Sequence, residues 1–225
     1  MIVYFLKAGI MTTYFELPQS PAVRRTDVVG IGYEVFLITL APVMVMQTGL
    51  LPSTYRIQVF GLFFVIALLP MLHREINAHS LGIRFDNLLL GMPAFALFAL
   101  GLSGIALSVL MQPSVARMVA PGVANVLSPL AYLGISVPVQ QFIYFGYLPA
   151  RLKNLTKNHW ILALCIGALF GAMHLPWQNP VLTGITLIIG IIWARVYLRF
   201  PNLFLSTAAH VILGGCVLWV LQIAG

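Results

Sequence analysis

The chain has 225 residues, of which 60% are hydrophobic and 8% charged, with a mean hydropathy of +0.98; soluble domains hold roughly 45–50% and 25%. An ordinary soluble domain is excluded, and apolar runs of around 20 residues, where a membrane barrel would show alternating ten-residue strands, point to membrane helices. The formal charge of +7 comes from basic residues scattered over the ends of apolar runs. It reads as membrane topology and contact with anionic head groups, not as nucleic-acid binding.

In chain order, residues 1–28 hold Lys7, Arg24, Arg25 and the turn-like LPQSP, and read as a cytoplasmic or interfacial leader. IVYFLKAGIM has neither the basic start nor the small-residue cleavage site of a signal peptide. Spanning helices are predicted at about 29–50, 57–72, 88–110, 129–150, 159–175, 181–199 and 202–222. Between the third and fourth, SVARMVAPGVAN is too polar and broken to span and reads as a surface helix. Pro42, Pro70, Pro93 and Pro138 fall in or near these helices and suggest kinks. Cys165 and Cys216 lie in apolar segments without metal-like spacing and read as small buried hydrophobes. The predicted fold is all-alpha: a polytopic transmembrane helical bundle of about seven spanning helices, one domain over 29–225.

Charge sets the predicted orientation. With seven crossings, ten of the 12 Lys/Arg residues fall on one side and only Arg56 and Arg117 on the other. The positive-inside bias then places the amino terminus in the cytoplasm, the carboxyl terminus outside, and residues 151–158 in a cytoplasmic loop.

Polar groups inside apolar segments are costly unless paired, so they face the bundle interior. Gln140 and Gln141 stand in the fourth segment, His174 ends the fifth and His210 lies within the seventh. Two adjacent glutamines point about 100° apart on a helix; taken alone they read as hydrogen-bonding glue between helices. Phe170 lies one turn before His174 on the same face, and Gly214 one turn after His210. No Asp or Glu follows Asp86. Glu34, in the first helix, reads as a border residue that snorkels or pairs with Arg24 or Arg25; a kinked helix could alternatively carry it to the histidines.

The order and spacing of these residues resemble the three membrane motifs of the CPBP family of intramembrane metalloproteases, the CAAX-protease and bacteriocin-processing or abortive-infection family. QQFIYFGYLPARL is similar to its first motif, with Gln140 and Gln141 at the two glutamate positions, Phe145 at the arginine and Gly146 after it. FGAMH supplies the second motif, Phe170 and His174, and HVILG the third, with His210 retained and Gly214 at the amide or acid position. The resemblance covers about 129–222, with the motifs in 137–214, and implies a site in a bacterial-type plasma membrane where glutamate and histidine side chains activate water, generally with a metal.

At the matching positions the chemistry is neutral. A glutamine amide cannot take a proton from water, and His174 and His210 alone fall short of the three protein ligands zinc wants in a catalytic site. The residues implied are therefore Gln140, Gln141, His174 and His210 at the family's catalytic positions, with Phe145, Phe170, Gly214 and Glu34 as binding residues. The predicted function is a non-catalytic CPBP-like protein without a cofactor, which binds a hydrophobic helix, peptide or lipid as a subunit or assembly factor. Its partners are the lipid bilayer and another membrane protein or hydrophobic peptide. The alternative is an active intramembrane metalloendopeptidase, with zinc on His174 and His210.

Overall fold

The structure is a computed structural model that describes residues 25–49, 55–73, 76–112, 114–117 and 129–224. Residues 1–24 of the predicted leader and 118–125 of the surface segment lie outside the described residues. Seven long helices run through the rest: α1 (25–47), α2 (Arg56–His73), α3 (Leu88–Leu110), α4 (129–152), α5 (His159–Ala172), α6 (Pro180–Arg199) and α7 (Leu203–Ala224). Among the described residues, five stretches are long and apolar enough to cross a membrane: Val28–Gln47, Leu88–Leu110, His159–Trp177, Pro180–Arg199 and Leu203–Val220. The chain is thus a polytopic transmembrane helical bundle. α2 and α4 are not among the five; α4 carries the Gln140–Gln141 pair, which lowers its apolarity.

Prolines shape the helices differently from simple kinks. Three π-helical turns interrupt the described helices: Phe36–Leu40 in α1, and Tyr132–Ser136 and Phe142–Tyr147 in α4. Each ends two residues before a proline, namely Pro42, Pro138 and Pro149. Proline has no N–H to give and its ring pushes on the preceding turn, and a wider turn just upstream absorbs both effects. Pro93 is held inside α3 without such a turn.

Helix starts follow local chemistry. Asn158, Asn179 and Asn202 each accept hydrogen bonds from backbone N–H groups of the first turn of α5, α6 and α7, respectively. Pro180 occupies the first position of α6, where no N–H is needed. α5 and α6 cross in close contact because Gly167, Gly171 and Gly190 line their seam: a Cβ added to Gly167 would lie 2.5 Å from the Ile191 backbone nitrogen, and one on Gly190 3.1 Å from the Gly167 Cα. This is the small-residue packing that lets membrane helices approach.

The loop before α3 is stitched to the α6–α7 turn. Asn202 donates to the Arg84 carbonyl (2.9 Å) and to Asn87 Oδ1 (2.8 Å), and Asn87 donates to the Pro201 carbonyl (3.0 Å). Tyr197 donates to the Leu81 carbonyl at 2.8 Å. Gly82, at φ +77°, leaves room for that phenol, since a Cβ there would stand 2.2 Å from the Tyr197 oxygen. Arg84 pairs with Asp86 at the surface, and that hydrogen bond holds the Asp86 carboxyl below its ordinary range.

Two sequence expectations are corrected here. Cys165 is exposed on α5 and Cys216 only half-buried, so neither is a core hydrophobe; on helices bathed in lipid an apolar thiol can face outward at little cost. Glu34 does not rest at a free border. It is bound to Arg151 at the end of α4, with Arg151 Nε donating to Glu34 Oε2 at 2.7 Å and the Tyr147 hydroxyl donating to the same oxygen at 2.9 Å. The two charged side chains are 8% and 11% exposed, a depth at which an unpaired charge would be far costlier.

Candidate functional site

The polar centre lies between α4, α6 and α7, beside the end of α5. Gln141 is fully buried on α4, just before the π turn Phe142–Tyr147. Ser206 and His210 stand one turn apart on α7, both buried, and Trp193 reaches in from α6. These four side chains form one directional chain. The Trp193 indole Nε1 donates to Ser206 Oγ at 2.8 Å. The Ser206 hydroxyl donates to Gln141 Oε1, and Gln141 Nε2 meets His210 Nδ1 at 2.8 Å.

The direction follows from two of its bonds. An indole nitrogen can only donate, so Ser206 accepts there, and its hydroxyl donates to the Gln141 carbonyl. The amide then turns its NH2 to His210, whose Nδ1 must offer a lone pair. His210 therefore carries its proton on Nε2. His174, one turn beyond Phe170 where α5 has ended, is wired the opposite way: its Nδ1 lies 3.0 Å from the Phe170 carbonyl, which can only accept. The His174 proton is on Nδ1 and its Nε2 holds the lone pair. Neither Nε2 atom has a hydrogen-bond partner among the described residues.

Around this chain the walls are aromatic. Phe170 packs against both imidazoles, with ring centroids 5.4 Å from His174 and 6.1 Å from His210. Trp193 lies 5.0 Å and Tyr132 6.4 Å from His210, and Trp177 5.7 Å from His174. Phe145 is fully buried against Phe170, Trp193 and Tyr197. A guanidinium at that position would need a counter-charge that this ring cluster does not offer. Gly214 marks a close approach of α7 to α4: a Cβ there would sit 3.1 Å from a ring carbon of Tyr132.

The remaining expected residues lie apart from this chain. Gln140 points elsewhere than Gln141, its Nε2 donating to Ser136 Oγ at 2.9 Å while its Oε1 is buried without a partner. Glu34 is held instead by Arg151 and Tyr147, at the contact of α1 with the end of α4. Trp193 and Ser206 were not anticipated. Ser206 was findable, being one turn before His210 on the same helix, but Trp193 reads in sequence as one more apolar residue of α6.

A metal, which the family resemblance implies, does not fit this donor set. Among the described residues no group of three or more His, Cys, Asp or Glu side chains could hold an ion. Moreover His210 has no lone pair to give: Nδ1 receives the Gln141 N–H, and Nε2 carries the proton. Moving that proton to Nδ1 would set two N–H groups against each other unless the amide turned over, and Ser206 would then lose its acceptor. Among curated proteins and among solved structures nothing matches the chain. A family model does match: described as Rce1-like, Type II CAAX prenyl endopeptidase Rce1-like, it covers residues 122–215, somewhat less than half of the chain. Over that stretch, which holds Gln141, His174, Trp193, Ser206 and His210, the chain is similar to an Rce1-like domain of the CPBP proteins.

Proposed function

We propose that this chain is a non-catalytic CPBP-like membrane protein that binds a hydrophobic helix, peptide or lipid as a subunit or assembly factor. The observation that carries the reading is the Gln141–His210 hydrogen bond. A neutral amide stands where the family places an acid, and it consumes the histidine lone pair that metal chemistry would use. Hydrolysis needs a base and a polarised water, each typically worth factors of about a hundred or more, and the proposed site residues Gln140, Gln141, His174 and His210 supply neither through a carboxylate. The endopeptidase alternative draws on the family description alone.

An apolar groove of about 730 Å³ runs beside the polar centre, lined by Phe64 of α2, Pro138, Val139 and Phe142 of α4, and Leu203 and Thr207 of α7. It suits a hydrophobic segment lying against α4 and α7. In the same reading all seven helices cross the bilayer, the amino terminus is cytoplasmic, and residues 151–158, with Lys153 and Lys157, face the cytoplasm.

Photo-crosslinking in native membranes tests the binding role. A photoreactive residue at Val139 or Thr207 should give a discrete adduct that a residue at Leu97, 76% exposed on α3, does not. Adducts of the same identity and yield at all three positions would mean that the groove takes only bulk lipid, and would overturn the proposal.

A further inference from the structure

We propose that the α4–α5 loop, the start of α5 and the end of α6 together hold the headgroup of an anionic phospholipid. Lys153, Lys157 and Arg195 take a phosphate carrying more than one charge, and the acyl chains lie along the outer face of the α5–α6 pair. The site stands apart from the Gln141–His210 centre, and its test does not depend on whether that centre is catalytic.

Local signals in the sequence build the site. α4 ends in a tight turn, with the Lys153 N–H bonded to the Pro149 carbonyl (3.1 Å) and the Leu155 N–H to the Leu152 carbonyl (2.9 Å). Thr156 Oγ1 accepts from the Asn158 N–H at 3.1 Å, and Asn158 Oδ1 accepts from the Trp160 N–H at 2.9 Å, which starts α5. Lys153 and Lys157 are thus carried on a hydrogen-bonded turn that leads into His159. Opposite, the Arg195 guanidinium lies 4.2 Å from the centre of the Trp160 ring, an attraction that ties the end of α6 to the start of α5.

Positive charge gathers here uncompensated. Lys153 feels the charge of Lys157, and His159 those of Lys153 and Arg195, so the four form one electrostatic group. Lys153 is half-buried, and loss of solvent first, Lys157 second, hold its ammonium below its ordinary range. Among the described residues none of the four meets a carboxylate: Glu34 pairs with Arg151, and Asp86 with Arg84 and His79. Like charges so placed repel until an anion joins them, and salt screens a half-buried ammonium less than an exposed one.

The surroundings make that anion a lipid's. His159–Trp177 and Pro180–Arg199 are both long and apolar enough to cross a membrane, so Trp160 and Arg195 lie at the same end of two packed spans, where headgroups begin. Trp160, 62% exposed, is the amphipathic ring that suits this level. Beyond it the same faces turn apolar. Leu164 stands one turn from Trp160, Ile192 and Ile188 one and two turns from Arg195, and all three are exposed. A soluble phosphate would use the cations and leave this apolar track bare. A phosphomonoester, with a charge of about −1.5 to −2 at pH 7, neutralises the group further than a phosphodiester does, and the planar fork of Arg195 matches phosphate oxygens.

The experiment is native mass spectrometry of the full chain in detergent micelles, titrated with dioleoyl phosphatidic acid, phosphatidylglycerol or phosphatidylcholine. One phosphatidic acid per chain should bind saturably, about fivefold tighter than phosphatidylglycerol, and phosphatidylcholine should show no saturable site. Lys153→Gln and Arg195→Gln should each weaken that binding about fivefold, and Lys153→Arg should retain it. Arg117→Gln removes the same charge from an exposed residue before α4 and should change affinity by less than about twofold. Should the Arg195 variant fail to fold, Lys157→Gln, exposed on the loop, carries the same expectation. Glycerol 3-phosphate should bind at least about a hundredfold more weakly, since it buries no acyl chain. Equal losses from Arg117→Gln and the loop variants would reduce the effect to diffuse charge and overturn the proposal. Equal binding of the three lipids, or glycerol 3-phosphate binding as tightly as phosphatidic acid, would overturn it as well.

Discussion

Removing Arg151 should destabilise the bundle far more than removing Arg151 and Glu34 together. The Arg151 Nε and Glu34 Oε2 atoms are 2.7 Å apart, with side chains 8% and 11% exposed. Charge centres about 4 Å apart attract by about 4 kcal/mol at an effective dielectric of about 20, and solvent takes little of it at this depth. Arg151→Met takes a buried cation away from the Glu34 carboxylate, and the Tyr147 hydroxyl beside it does not supply one. The expected loss is about 3–5 kcal/mol, the usual result of breaking one partner of a buried pair. In Arg151→Met/Glu34→Gln both charges of the pair are gone, and Tyr147 can still donate to the amide oxygen. That double variant should recover most of the loss, giving a coupling energy of about 2–4 kcal/mol in the cycle. The assay is reversible unfolding in mixed micelles, followed by helicity against the mole fraction of denaturing detergent. Additive single losses, within about 0.5 kcal/mol, would refute the claim that this pair fastens α1 to α4.

Two further outcomes follow from packing and from charge. Gly167→Ala puts a methyl 2.5 Å from the Ile191 backbone nitrogen; a backbone atom cannot rotate away, so the α5–α6 seam must open, at a cost of about 1–3 kcal/mol or more in the same unfolding assay, whereas Gly184→Ala, whose Cβ meets nothing within 4 Å, should change stability by less than about 0.5 kcal/mol or raise it slightly. Single cysteines at Asn154 and Ser114, on a background without Cys165 and Cys216, should react with an impermeant maleimide from opposite sides of the membrane; reaction from one side only would break the proposed orientation.

The sequence carried most of the helix positions because apolar length and asparagine caps are local signals. The predicted 88–110 and the observed Leu88–Leu110 coincide, and Asn158, Asn179 and Asn202 announce three helix starts. Seven spans were expected, and among the described residues five stretches are long and apolar enough to cross; the Gln140–Gln141 pair lowers the apolarity of α4. The π turns were not legible, since a proline marks strain without saying whether the helix bends or widens upstream. Spacing singled out Gln141, His174 and His210; Gln141 meets His210, and Phe170 packs against both imidazoles. It could not supply Trp193, whose role depends on how α6 faces α7. Nor could it pair Glu34 with Arg151, 117 positions away, when Arg24 and Arg25 stood closer in the chain.

The central claim is that the polar centre is wired for hydrogen bonding and not for metal-assisted hydrolysis. Its most direct test is the zinc content of the purified wild-type protein, measured after incubation with the ion and dialysis, alongside cleavage of a membrane-embedded peptide by the same sample. The account predicts zinc well below one per chain, no cleavage above the buffer rate, and no change in either on His174→Ala or His210→Ala. One zinc per chain, with cleavage that is lost on chelation and on either histidine substitution, would contradict it.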